Sequence, residues 1–342
     1  MYPPATSLHR RKREDNSFMS LYLRRLFRRP SFVAVLLALA LIAAPLTAAQ
    51  AADRLSVMLD WFVNPDHAPL IVGKEKGFFA AQGLDVTFIE PADPNDPPKL
   101  VAAGQADLAV SYQPQLHIQV AQGLPLRRIG TLVATPLNAL VVLADGPITT
   151  IADLQGRRVG YSVGGFEDAL LQAMLVKHGL ELSDIELVNV NFSLSPALIA
   201  GQVDAVIGAF RNFELNQMDI VGRPGRAFFV EEEGVPAYDE LILVANAARL
   251  EDPRLSRFLR GLEEAVQYLV NHPDDSWKAF IAAYPDRDDE LNRRAWADTL
   301  PRFALRPAAL DRRRYDRFAA FLVEQGLIES ALPVNAYAVE LP

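Results

Sequence analysis

From position 54 onward the chain alternates short apolar runs with stretches whose apolar residues recur at helical spacing. The run 54–62 predicts a strand, a helical stretch from about His67 stops at Gly77, and 84–89 predicts a second strand. A proline-rich link, PADPNDPP, leads into a short helix and a third strand at 107–112. This is the alternating order of a mostly parallel sheet covered by helices. The order then begins again with strand 158–163, helix 168–178 stopped by Gly179, strand 185–190, a helix from Pro196 and strand 204–210. One echo accompanies it: AAGQADLAV at 102–110 and IAGQVDAVI at 199–207 place Ala-Gly-Gln, one residue, then Asp at the same offsets. Together these features predict two similar lobes. A strand at 241–245 follows, then a helix whose residues Leu255, Phe258, Leu259, Leu262, Val266 and Leu269 repeat at helical spacing and belong to a lobe core. Further helices around 277–284 and 315–325 are expected to pack back onto the first lobe.

Ahead of this pattern stand Arg24-Arg25 and Arg28-Arg29, an apolar run over 32–44, Pro45, and Ala49-Gln50-Ala51. That order reads as a secretory signal peptide over 1–51, cleaved after Ala51, with Met19 as an alternative start. The run is shorter than the roughly 20 apolar residues that cross a bilayer, and Pro45 breaks its helix. The expected location is therefore the periplasm. Cleavage leaves 26 basic residues against 40 acidic, a net charge of −14 that opposes binding to nucleic acid or an anionic membrane. The chain has no cysteine, which excludes disulfides, thiolate metal sites and a cysteine nucleophile.

In open α/β sheets ligands bind beyond the carboxyl ends of the strands, and two facing lobes place two such ends across one cleft. The segments just after the strands are 60–64 and 111–113 in the first lobe, and 162–167, Asn191-Phe192 and 210–214 in the second. Their aromatics, amides and carboxylates suit a flat, nitrogen-containing ring, with stacking on its faces and hydrogen bonds to its edge. Trp61 and Tyr112 are the stacking candidates, although an ordinary half-buried core position would also account for either ring. Glu214 can accept from an amino group and a protonated ring nitrogen, and Asn64, His67, Gln113, Phe166 and Asn212 complete the candidate set. Gly164-Gly165 before a helix could cradle an anion, but Glu167 and Asp168 in that helix's first turn would repel one. The pair is read as packing against a ligand edge, and Arg211 is the nearby cation that would favour an anion instead. No second histidine stands at metal spacing from His67, and the chain has neither a phosphate-binding loop nor a Ser-His-Asp context. No cofactor is implied.

The segments LDWFVNPDHAPLIVGKEKGFFAAQGLDV, IEPADPNDPPKLVAAGQADLAVSYQPQ, IADLQGRRVGYSVGGFEDALL and AGQVDAVIGAFRNFE resemble the periplasmic binding proteins for thiamine-pyrimidine precursors. These sit in a wider group with aliphatic sulfonate, nitrate and taurine binding proteins and the yeast-type pyrimidine precursor synthases. The resemblance covers nearly all of the chain after the leader. It implies an α/β fold of the type II periplasmic-binding class, two lobes around a central cleft, with 52–143 and 241–342 in lobe one and 144–240 in lobe two. It also implies a monomeric substrate-binding component of an ABC importer, with a permease and an ATPase as partners and an aminopyrimidine as ligand. Riboflavin or an aliphatic sulfonate, taurine or nitrate are the alternatives within the same class. The synthase relatives build the pyrimidine from a histidine of their own chain and pyridoxal phosphate held by a lysine. Here Ser111 stands where that lysine would fall and Gln115 where that histidine would fall, and the synthases' cysteine-rich motif is missing. Without an amine for a Schiff base or a donor imidazole, the resemblance implies binding without turnover.

Overall fold

The first apolar run forms β1 (Asp53–Met58), shorter than its pattern predicts because the chain leaves the sheet before Asp60. This is a computed structural model that describes residues 52–341, so the signal peptide expected at 1–51 lies outside the described residues. After β1 come α1 (Ala68–Glu75), α2 (Phe78–Ala81), β2 (Leu84–Ile89), α3 (Pro97–Ala102), β3 (Leu108–Ser111), α4 (Gln113–Ala121) and β4 (Leu126–Val133). The middle of the chain gives β5 (Asn138–Leu143), β6 (Arg158–Tyr161), α5 (Glu167–Lys177), β7 (Glu186–Asn189), α6 (Leu194–Ile199), β8 (Ala205–Phe210), α7 (Glu214–Ile220) and β9 (Gly225–Phe229). The remainder gives β10 (Leu241–Asn246), α8 (Pro253–Asn271), α9 (Pro273–Ala283), α10 (Glu290–Thr299) and α11 (Arg312–Glu324).

Two five-stranded sheets result, in the orders β2-β1-β3-β10-β4 and β7-β6-β8-β5-β9. In each sheet three strands run parallel and the fourth in order lies antiparallel to its neighbours. In the first sheet that strand, β10, comes from beyond all the strands of the second, whereas the second sheet is built from the continuous stretch 138–229. The sequence reading kept 138–143 in the first lobe, whereas β5 pairs with β8 and β9 in the second sheet. The physical reason is that Asn138–Leu143 is almost wholly apolar and buried on both faces, so it needs a neighbour on each side, and β4 already closes the first sheet. The chain thus crosses between sheets at 134–137 and returns at 230–240.

Burial follows the periodicity. Leu255, Phe258, Leu259, Leu262, Val266 and Leu269 of α8 are all buried, and Phe258 stacks on Phe79 of α2 at 4.9 Å. α11 buries Tyr315 and Phe318 around His117 of α4. α10 reaches the second lobe, where Arg294 pairs with Asp219 at 2.6 Å and Asp298 accepts from Asn216 at 2.8 Å.

The carboxyl end of β8 is aimed by a bulge. Gly208 has φ 98° beside a register shift against β5, and a Cβ there would meet the Glu167 carboxyl at 2.3–2.5 Å. Gly208→Ala therefore adds both backbone strain and a clash, and should cost about 1–3 kcal/mol in urea unfolding. A loss below about 0.5 kcal/mol, the usual surface value, would show that β8 does not need this conformation.

Candidate functional site

Residues in and following β1, β3, β6 and β8 converge on a narrow cleft between the sheets, with a cavity of about 30 Å³. Its lining includes Asp60, Trp61, Asn64, Asp66, Tyr112 and Phe210, together with Phe213, Glu214, Glu167, Leu194 and Gly208. Asp60 organises the first-lobe side. Its Oδ2 accepts from the Tyr112 hydroxyl at 2.9 Å, and its Oδ1 lies 2.9 Å from His67 Nε2. The Asn64 N–H donates to His67 Nδ1 at 3.3 Å, which assigns the ring hydrogen to Nε2 and directs it at Asp60. Asn64 also caps the turn by accepting the Asp66 N–H at 2.8 Å.

The cleft is rich in buried acid. Burial pushes Glu167 up to about 8, against the pull of the Ser162 N–H that it accepts at 2.7 Å. Glu214 accepts the Phe210 N–H at 2.7 Å and is pushed up to about 7, mainly by burial with repulsion from Asp66 added. Asp66 is pushed up by burial to about 6, although it accepts from Asn212 Nδ2 at 2.6 Å and lies 2.8 Å from the Thr299 hydroxyl. No lysine or arginine is among the lining residues.

Of the residues singled out from sequence, Trp61, Asn64, Tyr112 and Glu214 line this cleft. His67 is fully buried behind Asp60, and Asn212 is buried in the bond to Asp66 that joins the lobes. Phe166 stacks on Tyr112 across the lobes, with centroids 4.8 Å apart at 15°. That spacing leaves no room for a ligand ring between them. Gln113 faces away from the cleft, its Oε1 accepting the Asp239 N–H at 2.8 Å and its Nε2 lying 3.3 Å from His117. Gly164 and Gly165 are exposed and line a separate groove with Lys99, Gln119 and Gln122. Arg211 is committed elsewhere: it holds Glu231 at 2.6 and 2.8 Å and lies 4.0 Å from the Phe229 ring.

The sequence reading places Glu167 in the strand-end segment 162–167 and as a first-turn charge that would repel an anion, not among the candidate binding residues. Its buried position was legible all the same, since 167, 170, 171 and 174 lie on one helical face and Leu170, Leu171 and Met174 are core residues. Asp66 and Gly208 carried no comparable signal, because their roles depend on contacts with Asn212, Thr299 and Glu167 from distant elements.

Comparison with known proteins adds relatives, a fold neighbour and a family. A thiamine biosynthesis-named protein of Haemophilus influenzae is 56% identical over 292 residues, covering 85% of this chain and 93% of the relative. The formylaminopyrimidine-binding protein of Halalkalibacterium halodurans is 34% identical over 245 residues, covering 71% and 73%. Synthases of 4-amino-5-hydroxymethyl-2-methylpyrimidine phosphate are also relatives, at 25% to 30% identity. Among solved structures, the alkanesulfonate-binding protein SsuA of Xanthomonas axonopodis pv. citri, bound to MOPS, superposes with a TM-score of 0.66 at 17% identity, covering 83% of this chain and 97% of that one. It shares the fold, the two-sheet architecture of periplasmic binding proteins. The family model described as NMT1/THI5 like matches residues 64–276, and the chain belongs to that family.

Proposed function

We propose that this chain is the periplasmic substrate-binding component of an ABC importer and that it carries an aminopyrimidine precursor of thiamine. One observation carries the ligand reading: four carboxyls and several aromatic rings line the cleft, with no cationic side chain among them. A flat ring with amino substituents presents donors to those carboxyls and a π-face to Trp61. An alkanesulfonate brings only acceptors and negative charge, which buried carboxyls repel. Glu214, held close to neutral pH, can act as a carboxylate toward an amino group or as an acid toward a ring nitrogen. The name of the formylaminopyrimidine-binding relative supports the same ligand class. The fold and the leader favour import from the periplasm, and no helix among the described residues is long and apolar enough to cross a membrane.

Binding without turnover is supported by the position that distinguishes the synthases. The Ser111 hydroxyl donates to Gln115 Oε1 at 2.8 Å, and both residues are buried. Two neutral side chains satisfy each other there, so that position supplies no amine and no imidazole.

Three measurements test this reading. In a thermal-shift screen, hydroxymethylpyrimidine or formylaminopyrimidine at about 100 times Kd adds roughly 2.7 kcal/mol to the folded state, while taurine and alkanesulfonates add nothing. Trp61→Ala weakens that binding about 10- to 100-fold through loss of the stacking face, and Glu214→Gln weakens it less. A sulfonate response with none from the pyrimidines would replace the ligand assigned here.

For export, mass spectrometry of the periplasmic fraction should find an N-terminus at or near Ala52. An intact leader held in the membrane fraction contradicts it.

The third measurement uses pH. Glu167, Glu214 and Asp66 have raised values in the fold, so they keep protons where the unfolded chain's carboxyls are ionised. Their contribution to stability is whole below about pH 4 and is lost as pH rises through 6 to 8. The melting temperature of the ligand-free protein should fall by several degrees from pH 6 to pH 9, with a shallower fall in Glu167→Gln. Equal slopes in the two proteins would remove Glu167 from this account.

A further inference from the structure

The turn after β7 holds the sole non-glycine residue in the left-handed region among the described residues, Asn191 at φ 49°. Asparagine tolerates that conformation better than most side chains, yet it still needs support. Asn191 donates its N–H to Asn189 Oδ1 at 2.8 Å, and its carbonyl accepts the Ser162 hydroxyl. Ser162 is buried, and its own N–H donates to the Glu167 carboxyl in the cleft at 2.7 Å. The turn is thus anchored to a cleft-lining acid.

This conformation sends Phe192 across to the first lobe. Its ring meets Trp61 edge to face, with centroids 4.6 Å apart at 72°, and lies 4.5 Å from Phe62. Phe62 remains 41% exposed even with that contact, while Trp61 also packs against the apolar core around β8. Trp61 lines the cleft, which places Phe192 directly behind a ring that also faces the ligand space.

We propose that Phe192 is a latch: it positions Trp61 against the ligand and closes the mouth of the cleft between the lobes, so it sets residence time and limits ligand size. The size limit rests on the solute-binding reading above. Contacts made only when the lobes are closed slow opening, and their loss is felt in dissociation far more than in association. A mouth capped by three rings accepts a single substituted ring and disfavours a ligand that extends beyond it, such as thiamine.

Stopped-flow kinetics with formylaminopyrimidine as the probe test the latch. Phe192→Ala should speed dissociation about tenfold, the expected worth of two aromatic contacts, while association changes by less than about threefold. The ligand-free melting temperature should fall by no more than about 5 °C, Phe192→Tyr should restore slow release, and thiamine should gain on formylaminopyrimidine in the alanine variant. Unchanged dissociation, no rescue by tyrosine, or a larger fall in the ligand-free melt overturns the proposal. A second arm needs no ligand. Because the chain has no cysteine, spin labels at Ala80→Cys and Glu186→Cys report the distance between lobes without interference. Phe192→Ala should lengthen or broaden that distance, and an identical distribution sinks the latch whatever the cargo. If the distance shifts but wild type ignores formylaminopyrimidine, the ligand reading fails and the latch stands.

Discussion

Glu240 ends the second passage of the chain between the two sheets, and its carboxyl grips the first passage. One oxygen accepts the N–H groups of Leu137 and Asn138 at 2.5 and 2.9 Å and the Tyr238 hydroxyl at 3.1 Å. Burial pushes this carboxyl up to about 7, and these donors offset part of the cost. Arg211 reinforces the same place, since its backbone N–H donates to the Leu137 carbonyl at 2.9 Å and its side chain reaches the Asn138 carbonyl at 3.3 Å. The first sheet receives its fourth strand, β10, only after the chain has built the whole second sheet, so the outgoing and returning passages lie side by side and are tied here. This tie also explains why Arg211 does not serve an anion.

The cleft repeats this condition. Like Glu240 at the hinge, Glu167, Glu214 and Asp66 accept hydrogen bonds yet are held by burial well above the usual carboxylate range. A fold that wanted only stability would replace them with apolar groups of similar size. Raised acids gathered at a cleft are a recurrent feature of functional sites, and on the proposed reading a molecule with several N–H donors is their complement.

Most of the architecture could be read from the chain. The βαβ order, its repetition, the Ala-Gly-Gln-x-Asp echo and the stripe on α8 are local patterns, and local patterns survive folding. The place of β5 in the second sheet could not be read, because an apolar run such as Asn138–Leu143 fits either sheet and only pairing decides. The same limit divided the site residues. Trp61 and Glu214 lie at strand ends that geometry always exposes to the cleft, while Gln113, one residue past Tyr112, turns inward because helix α4 begins there and rotates it toward Asp239. Helical rotation of about 100° per residue separates two neighbours that a strand-end rule treats alike.

The two sides of the cleft are joined by contacts that pass through the ligand-lining residues themselves. On one side Asp66 holds Asn212 of the other lobe, with Thr299 of α10 against both. On the other, Glu167 holds Ser162, which holds the turn that carries Phe192 to Trp61. A ligand that draws a proton or a hydrogen bond from Asp66 or Glu167 therefore acts on groups that already position the opposing lobe. Affinity for the ligand and preference for the closed form are then one free energy rather than two, since a ligand stabilises closure only by the contacts it makes there and not in the open form. On the proposed reading the buried acids would supply that difference, because water reaches them in an open cleft and a ligand's donors would replace it in a closed one.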